Sequence, residues 1–250
     1  MRTNMSTDKV VVITGASGGI GAALAELLCG RGMRVALVAR REHALLEVTR
    51  RCGENALAIL GDVTDRATVA DVVDEVIEHF GKIDVWVNNV GRGISKHAVD
   101  LTDNEIDEMI RINVKSALYG MQEVLPHFKE QGAGHIINVS SMLGRVPMAP
   151  GRSAYSASKH FLNAITANFR DDVHATHPNI QVSLVSPGLV ATEFARNALN
   201  GQEPMTPLAN VQTAEAVAEV IANVIETRQA DVYTFPGAQQ MVVKYFQSDR

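Results

Sequence analysis

A chain of 250 residues, 46% hydrophobic and 20% charged, is long and apolar enough for one large α/β domain with a sizeable core, spanning 1–250. A formal net charge of −5 without a Lys/Arg run argues against nucleic acid as a partner, and no apolar run approaches the ~18 residues of a membrane span. Cys29 and Cys52 are far apart and in no metal or redox spacing, which points to free thiols, no metal site and a reducing, cytoplasmic location.

Residues 1–8 are polar, carry no signal-peptide apolar region and read as a loose tail. Apolar, β-favouring segments then alternate with helical periodicity. Strands are expected at 9–14, 34–39, 56–60, 83–88, 135–140, 180–185 and 231–235. Helices are expected at 19–29, 42–50, 65–80, 102–127, 155–174 and 213–226. This alternation predicts a doubly wound α/β fold, a parallel sheet with helices on both faces. Thr102-Asp-Asn-Glu105 is a capping box, and Thr64 or Asp65 caps the next helix upstream. Residues 188–212 break the rhythm with Gly201, Pro204 and Pro207. Following a strand, where an α/β sheet places its crevice, they are a candidate substrate lid; a surface loop is the plain alternative.

The first strand runs into Thr14-Gly15-Ala-Ser17-Gly-Gly19-Ile20-Gly21 and a helix. A strand feeding a glycine turn into a helix N-terminus presents free N–H groups and the positive end of the helix dipole to an anion. Gly15 would allow the turn, Gly19 a close approach to a diphosphate, and Gly21 close packing of helix on strand. No Gly-Lys-Ser/Thr follows, which disfavours a nucleotide-triphosphate loop. The second strand ends Ala39-Arg40-Arg41, without the carboxylate that holds the ribose 2′-hydroxyl of NAD. Two guanidiniums suit a 2′-phosphate, so NADP(H) is expected over NAD(H), with Arg40 as main contact and Arg41 assisting. Asp62, after the third strand, could meet the adenine amino group or be a turn residue. Asn88-Asn89-Val90-Gly91 closes the fourth strand with amides that bridge backbones and a glycine that admits a ligand.

Tyr155 and Lys159, four apart on a predicted helix, share one face. A phenol with pKa ~10 is a poor acid at neutrality, and a nearby ammonium would lower it. Ser141 ends the fifth strand, where its hydroxyl could reach a substrate oxygen or form a turn. Asn113 stands inside a helix that disfavours it, and so calls for a water, a kink or a buried structural role.

Together these pieces, with Pro187-Gly188-Leu-Val190-Ala-Thr192, resemble the short-chain dehydrogenase/reductase family from Thr14 to about Thr192. The resemblance implies a single Rossmann domain with a seven-stranded parallel sheet and a catalytic tetrad of Asn113, Ser141, Tyr155 and Lys159. It implies cofactor contacts at Gly15, Ser17, Gly19, Ile20, Gly21, Arg40, Arg41, Asp62, Val63, Asn89, Gly91, Tyr155, Lys159, Pro187, Gly188, Val190 and Thr192. The implied reaction is hydride transfer between NADP(H) and a carbonyl or secondary alcohol. Tyr155 acts as general acid/base, Ser141 fixes the oxygen, Lys159 holds the nicotinamide ribose and acidifies Tyr155, and Asn113 holds a water.

The chain departs from the family pattern at Val90, where alanine is usual. Its end, an apparent extra helix over 239–246, puts the usual tetramer in doubt, and a homodimer through the Asn113 and Tyr155 helices stands beside a homotetramer. Met142, Leu143, Val146, Met148, Leu189 and Phe194 suggest an apolar pocket for a medium-sized small molecule. Arg92, Arg145 and Arg152 lie in neighbouring loops as candidates for an acidic substrate group. Two other readings compete with a carbonyl reductase. A 3-ketoacyl-thioester reductase would want a basic docking patch at the lid, where 188–210 offers only Arg196. A non-enzymatic NADP-sensing regulator should have lost members of the tetrad.

Overall fold

In a computed structural model, which describes residues 8–200 and 211–248, seven strands form one all-parallel sheet. They are β1 Val10–Thr14, β2 Arg34–Ala39, β3 Ala56–Leu60, β4 Val85–Asn88, β5 Gly134–Val139, β6 Ile180–Ser186 and β7 Asp231–Tyr233. The helices are α1 Gly19–Gly30, α2 Glu42–Cys52, α3 Arg66–Phe80, α4 Asp103–Ile110, α5 Ser116–Gln131, α6 Ser153–His174, α7 Ala214–Thr227 and α8 Ala238–Gln247. The expected tail, apart from Asp8, and positions 201–210 of the expected lid lie outside the described residues.

The order is β3-β2-β1-β4-β5-β6-β7. The winding therefore reverses between β1 and β4, where a parallel sheet opens a crevice beyond its carboxyl ends. Strand alternation sends side chains to two cores. Val11, Ile13, Val35 and Leu37 pack with the buried faces of α1, α2 and α7. Val10, Val12, Ala36 and Val38 pack with α3, α5 and Phe128 on the other face. A sheet covered on both sides explains why these strands read as continuous apolar runs.

The expected helix over 102–127 is two helices. Its start is the predicted capping box at Thr102 and Glu105. At Arg111–Lys115 the backbone takes a π turn before α5 begins. The extra residue in that turn aims Asn113 sideways out of the helix line, the kind of local distortion that π turns bring to functional positions. β7 stops at Tyr233, short of the expected Phe235, because the Thr234 carbonyl turns to accept from Gln212 Nε2 at 2.8 Å. Cys29 and Cys52, distant in sequence, lie near each other between α1 and α2 as free thiols.

Candidate active site

The glycine turn fills the switch point. Gly15 and Gly19 have φ of 69° and 55°, a region where side chains are strained. A Cβ on Gly21 would stand 2.5 Å from the Gly15 carbonyl oxygen, so only glycine lets α1 close on the end of β1. α1 starts without a side-chain cap and without an acidic residue in its first turn. Its leading N–H groups are thus left for an anion. Asn89 ties β4 to this turn, donating from Nδ2 to the Thr14 and Gly15 carbonyls at 3.1 and 3.3 Å. Val90, the family's usual alanine, lies where a Cβ on Gly15 would meet it at 3.2 Å. Thr192 closes the other side, 3.3 Å from where a Gly19 Cβ would stand.

Val63 is buried in the α3-side core, and Ile20 and Val190 are packed against the α1-side core. The Gly188 N–H donates to Gln212 Oε1 at 3.2 Å, and the Pro187 carbonyl accepts from the Met142 N–H at 2.8 Å. Pro187 and Gly188 thus brace the crevice wall. The two arginines take different partners. Arg41 folds over the glycine turn, its Nε and Nη2 reaching Ser17 Oγ at 3.2 and 3.1 Å. Arg40 pairs with Asp62 at 3.1 Å. Asp62 also accepts from the Thr64 N–H and hydroxyl at 3.0 and 2.8 Å, the pattern of a turn residue.

Beside the turn, the four tetrad side chains converge. The strand-end loop after β5 packs so closely on α6 that a Cβ on Gly144 would stand 2.9 Å from the Lys159 backbone. This brings the Ser141 hydroxyl, which accepts from the Leu143 N–H at 3.1 Å, close enough to Tyr155 to favour its phenolate. Lys159 sits one helical turn on, with its ammonium 6.0 Å from the centre of the Tyr155 ring. It donates to the Val139 carbonyl at 3.0 Å. Asn113 grips one residue of the loop after β4 from both sides: Oδ1 accepts from the Arg92 N–H at 2.8 Å, and Nδ2 donates to the Arg92 carbonyl at 2.9 Å. The same Nδ2 reaches Ser158 Oγ on α6 at 3.0 Å. Gly91 is needed between them, since a Cβ there would meet Asn113 Oδ1 at 3.3 Å and Lys159 Nζ at 3.5 Å.

The electrostatics differ from the sequence expectation. Burial pushes Tyr155 up to about 12, against pulls downward from the Ser141 hydroxyl and the charge of Arg152. Burial alone takes Lys159 down to about 8. Desolvation thus sets the direction of the Tyr155 shift, opposite to the lowering expected from a neighbouring ammonium. At neutral pH both groups hold their protons, which suits proton donation to a developing alkoxide.

The pocket wall is smaller than expected. Met142 and Val146 are buried behind Ser141, whereas Met148, Leu189 and Phe194 are exposed. Phe194 stands edge-on to Tyr155 with ring centres 5.4 Å apart. Leu199 joins the loop after β4: its N–H donates to the Gly93 carbonyl and its carbonyl accepts from the Ser95 N–H, both at 2.9 Å. The described residues of the 188–212 segment therefore lie against Tyr155 and the loop after β4.

The profile of the short chain dehydrogenase family matches residues 9–203. The chain belongs to that family. An uncharacterised oxidoreductase of Staphylococcus epidermidis is 34% identical over 207 residues, 83% of this chain and 89% of the relative. A short-chain dehydrogenase/reductase from Burkholderia phymatum, solved in complex with NAD, superposes with a TM-score of 0.85 at 26% identity, covering 94% of this chain and 92% of the other. An alcohol dehydrogenase from the archaeon Thermococcus sibiricus, complexed with 5-hydroxy-NADP, gives 0.78 at 26% identity, covering 90% and 95%. This dehydrogenase also uses residues that its sequence did not announce. Ser158 and the Val139 and Arg92 backbones anchor Asn113 and Lys159. A backbone acceptor leaves no mark in sequence, and only the placement of Ser158 beside Lys159 hinted at its part.

Proposed function

We propose that this oxidoreductase transfers a hydride between NADP(H) and a ketone, aldehyde or secondary alcohol, with Tyr155 as general acid/base. The observation that carries the reading is buried Tyr155 with the Ser141 hydroxyl and the Lys159 ammonium beside it, next to the glycine-turn crevice. That crevice fits a dinucleotide, because the first N–H groups of α1 lack a side-chain cap and glycine occupies the points where a Cβ would intrude. When bound, the nicotinamide supplies or accepts the hydride. Arg41, at the turn, would grip the 2′-phosphate, with Arg40 adding charge from its pair with Asp62. Ser141 would hold the substrate oxygen, and Tyr155 would give it a proton. Lys159 would hold ribose hydroxyls and keep positive charge beside the phenol, and Asn113 would keep the loop carrying Gly91 in place.

The 3-ketoacyl-thioester reading gains no support at the lid, where Arg196 is paired with Glu193 at 3.0 Å among the described residues. On the same reading the protein is cytoplasmic and works as a homodimer or homotetramer, with half-exposed Phe161 of α6 in the contact. The test is Tyr155→Phe, assayed by NADPH absorbance across a panel of carbonyl compounds and by NADPH titration. Turnover should fall by about a thousandfold or more while NADPH affinity holds. A variant that keeps most of its activity would remove Tyr155 from this role.

A further inference from the structure

Three arginines were candidates for an acidic substrate group, and their surroundings separate them. Arg145 is committed to Asp231, to Ser186 Oγ at 3.0 Å and to the face of Tyr233. Arg92 lies 3.7 Å from Glu108 and donates to the Asn197 carbonyl. Arg152 has no carboxylate partner among the described residues. It immediately precedes α6, three residues before Tyr155. Its Nη1 donates to Ser95 Oγ at 2.8 Å and to the Ile94 carbonyl at 3.3 Å, and its other guanidinium nitrogens have no bond to the described protein. Ile94 packs in one buried cluster with Tyr155, Ala154 and Met109. The guanidinium is close enough for its charge to act on the phenol.

A half-buried guanidinium held by two neutral acceptors and no anion is only partly satisfied. Arg152 and Tyr155 stand three residues apart where α6 begins, and both border the segment at Ile94. Phe194 and Leu199 supply apolar surface beside Tyr155 for the apolar part of a small substrate.

Building on the hydride-transfer reading, we infer that Arg152, seated by Ser95 and the Ile94 carbonyl, binds the carboxylate of a short 2- or 3-oxo acid, or of the matching hydroxy acid, whose ketone oxygen lies at Tyr155. Arg152 thereby selects anionic substrates over neutral ones of the same size. Its guanidinium offers a forked pair of donors to the carboxylate, and the desolvated position makes the loss of that pair costly.

The test measures NADPH consumption with 3-oxobutanoate and 2-oxobutanoate against their methyl esters. The wild type should favour one of the acids over its ester by about ten-fold or more in kcat/KM. Arg152→Gln should lower kcat/KM for that acid at least about ten-fold more than for the ester, and Arg152→Lys should recover part of the difference. Equal loss on acid and ester would make Arg152 a support for the loop and overturn the inference. A wild type indifferent to the carboxylate would do the same. Binding without turnover is read separately, by titrating the NADP⁺-saturated protein calorimetrically with butanoate and with butanamide. Anion-selective binding that Arg152→Gln abolishes supports the inference; absence of selectivity overturns it. Selective binding with no reduction of any carbonyl would sink only the hydride-transfer reading.

Discussion

Replacing His135 with glutamine should flatten the acid side of the stability curve. His135 lies on β5, its ring nitrogen Nε2 2.8 Å from Ser183 Oγ. The Ser183 hydroxyl donates to the Gln229 carbonyl at 2.6 Å, so Nε2 must carry the hydrogen and Ser183 must accept it. Nδ1 is then a bare acceptor, and it has no partner. Burial, with the charges of Arg228 and Lys9, takes the imidazole from 6.5 down to about 3. The unfolded chain binds a proton below pH 6.5 that the folded chain refuses until about pH 3, so stability falls as pH drops through that window. Between pH 7 and pH 5 the loss from this one group is about 2 kcal/mol. Urea unfolding at both pH values, followed by the fluorescence of fully buried Trp86, the single tryptophan, measures it. Other groups titrate in both proteins, so the quantity of interest is the difference: the wild type should lose about 2 kcal/mol more than His135→Gln. Parallel curves for the two proteins would refute the tautomer and burial reasoning together.

Further outcomes follow from the same geometry. Carbonyl reduction should decline above about pH 8, where buried Lys159 gives up its proton, and a rate that stays level to high pH would contradict the need for that charge. Arg41→Ala should weaken NADPH binding by about 10–100-fold with NADH little changed, and more than Arg40→Ala does; titration of both cofactors decides whether the Ser17-bound arginine is the reader. Gly21→Ala forces a Cβ to 2.5 Å from the Gly15 oxygen. It should cost about 1–3 kcal/mol of stability and weaken dinucleotide binding, seen in thermal melts with and without NADPH.

Elements with strong local signals were legible in the sequence. β2 and β3 end where their apolar runs end, and the capping box at Thr102 opens α4 as written. The helical spacing of Tyr155 and Lys159 placed both side chains together. What the sequence did not carry depends on distant partners. The turn at Arg111–Lys115 follows from a side chain clasping the Arg92 backbone across the crevice, and helix periodicity has no term for that. The relative roles of Arg40 and Arg41 rest on which of them finds Asp62 and which finds Ser17. The direction of the Tyr155 shift was misjudged because a neighbouring charge is visible in sequence whereas the depth of burial is not.

The clasp on Arg92 has a mechanical consequence. One and three residues beyond it, Gly93 and Ser95 are hydrogen-bonded to Leu199, so Ser158, Asn113, the loop after β4 and the segment ending at Asn200 are joined in one chain of contacts. A displacement of Leu199 would pull on the Gly93 carbonyl and, through one peptide unit, on the Arg92 backbone that the Asn113 amide holds. The π turn at Arg111–Lys115 is thus mechanically tied to a segment far from it in sequence.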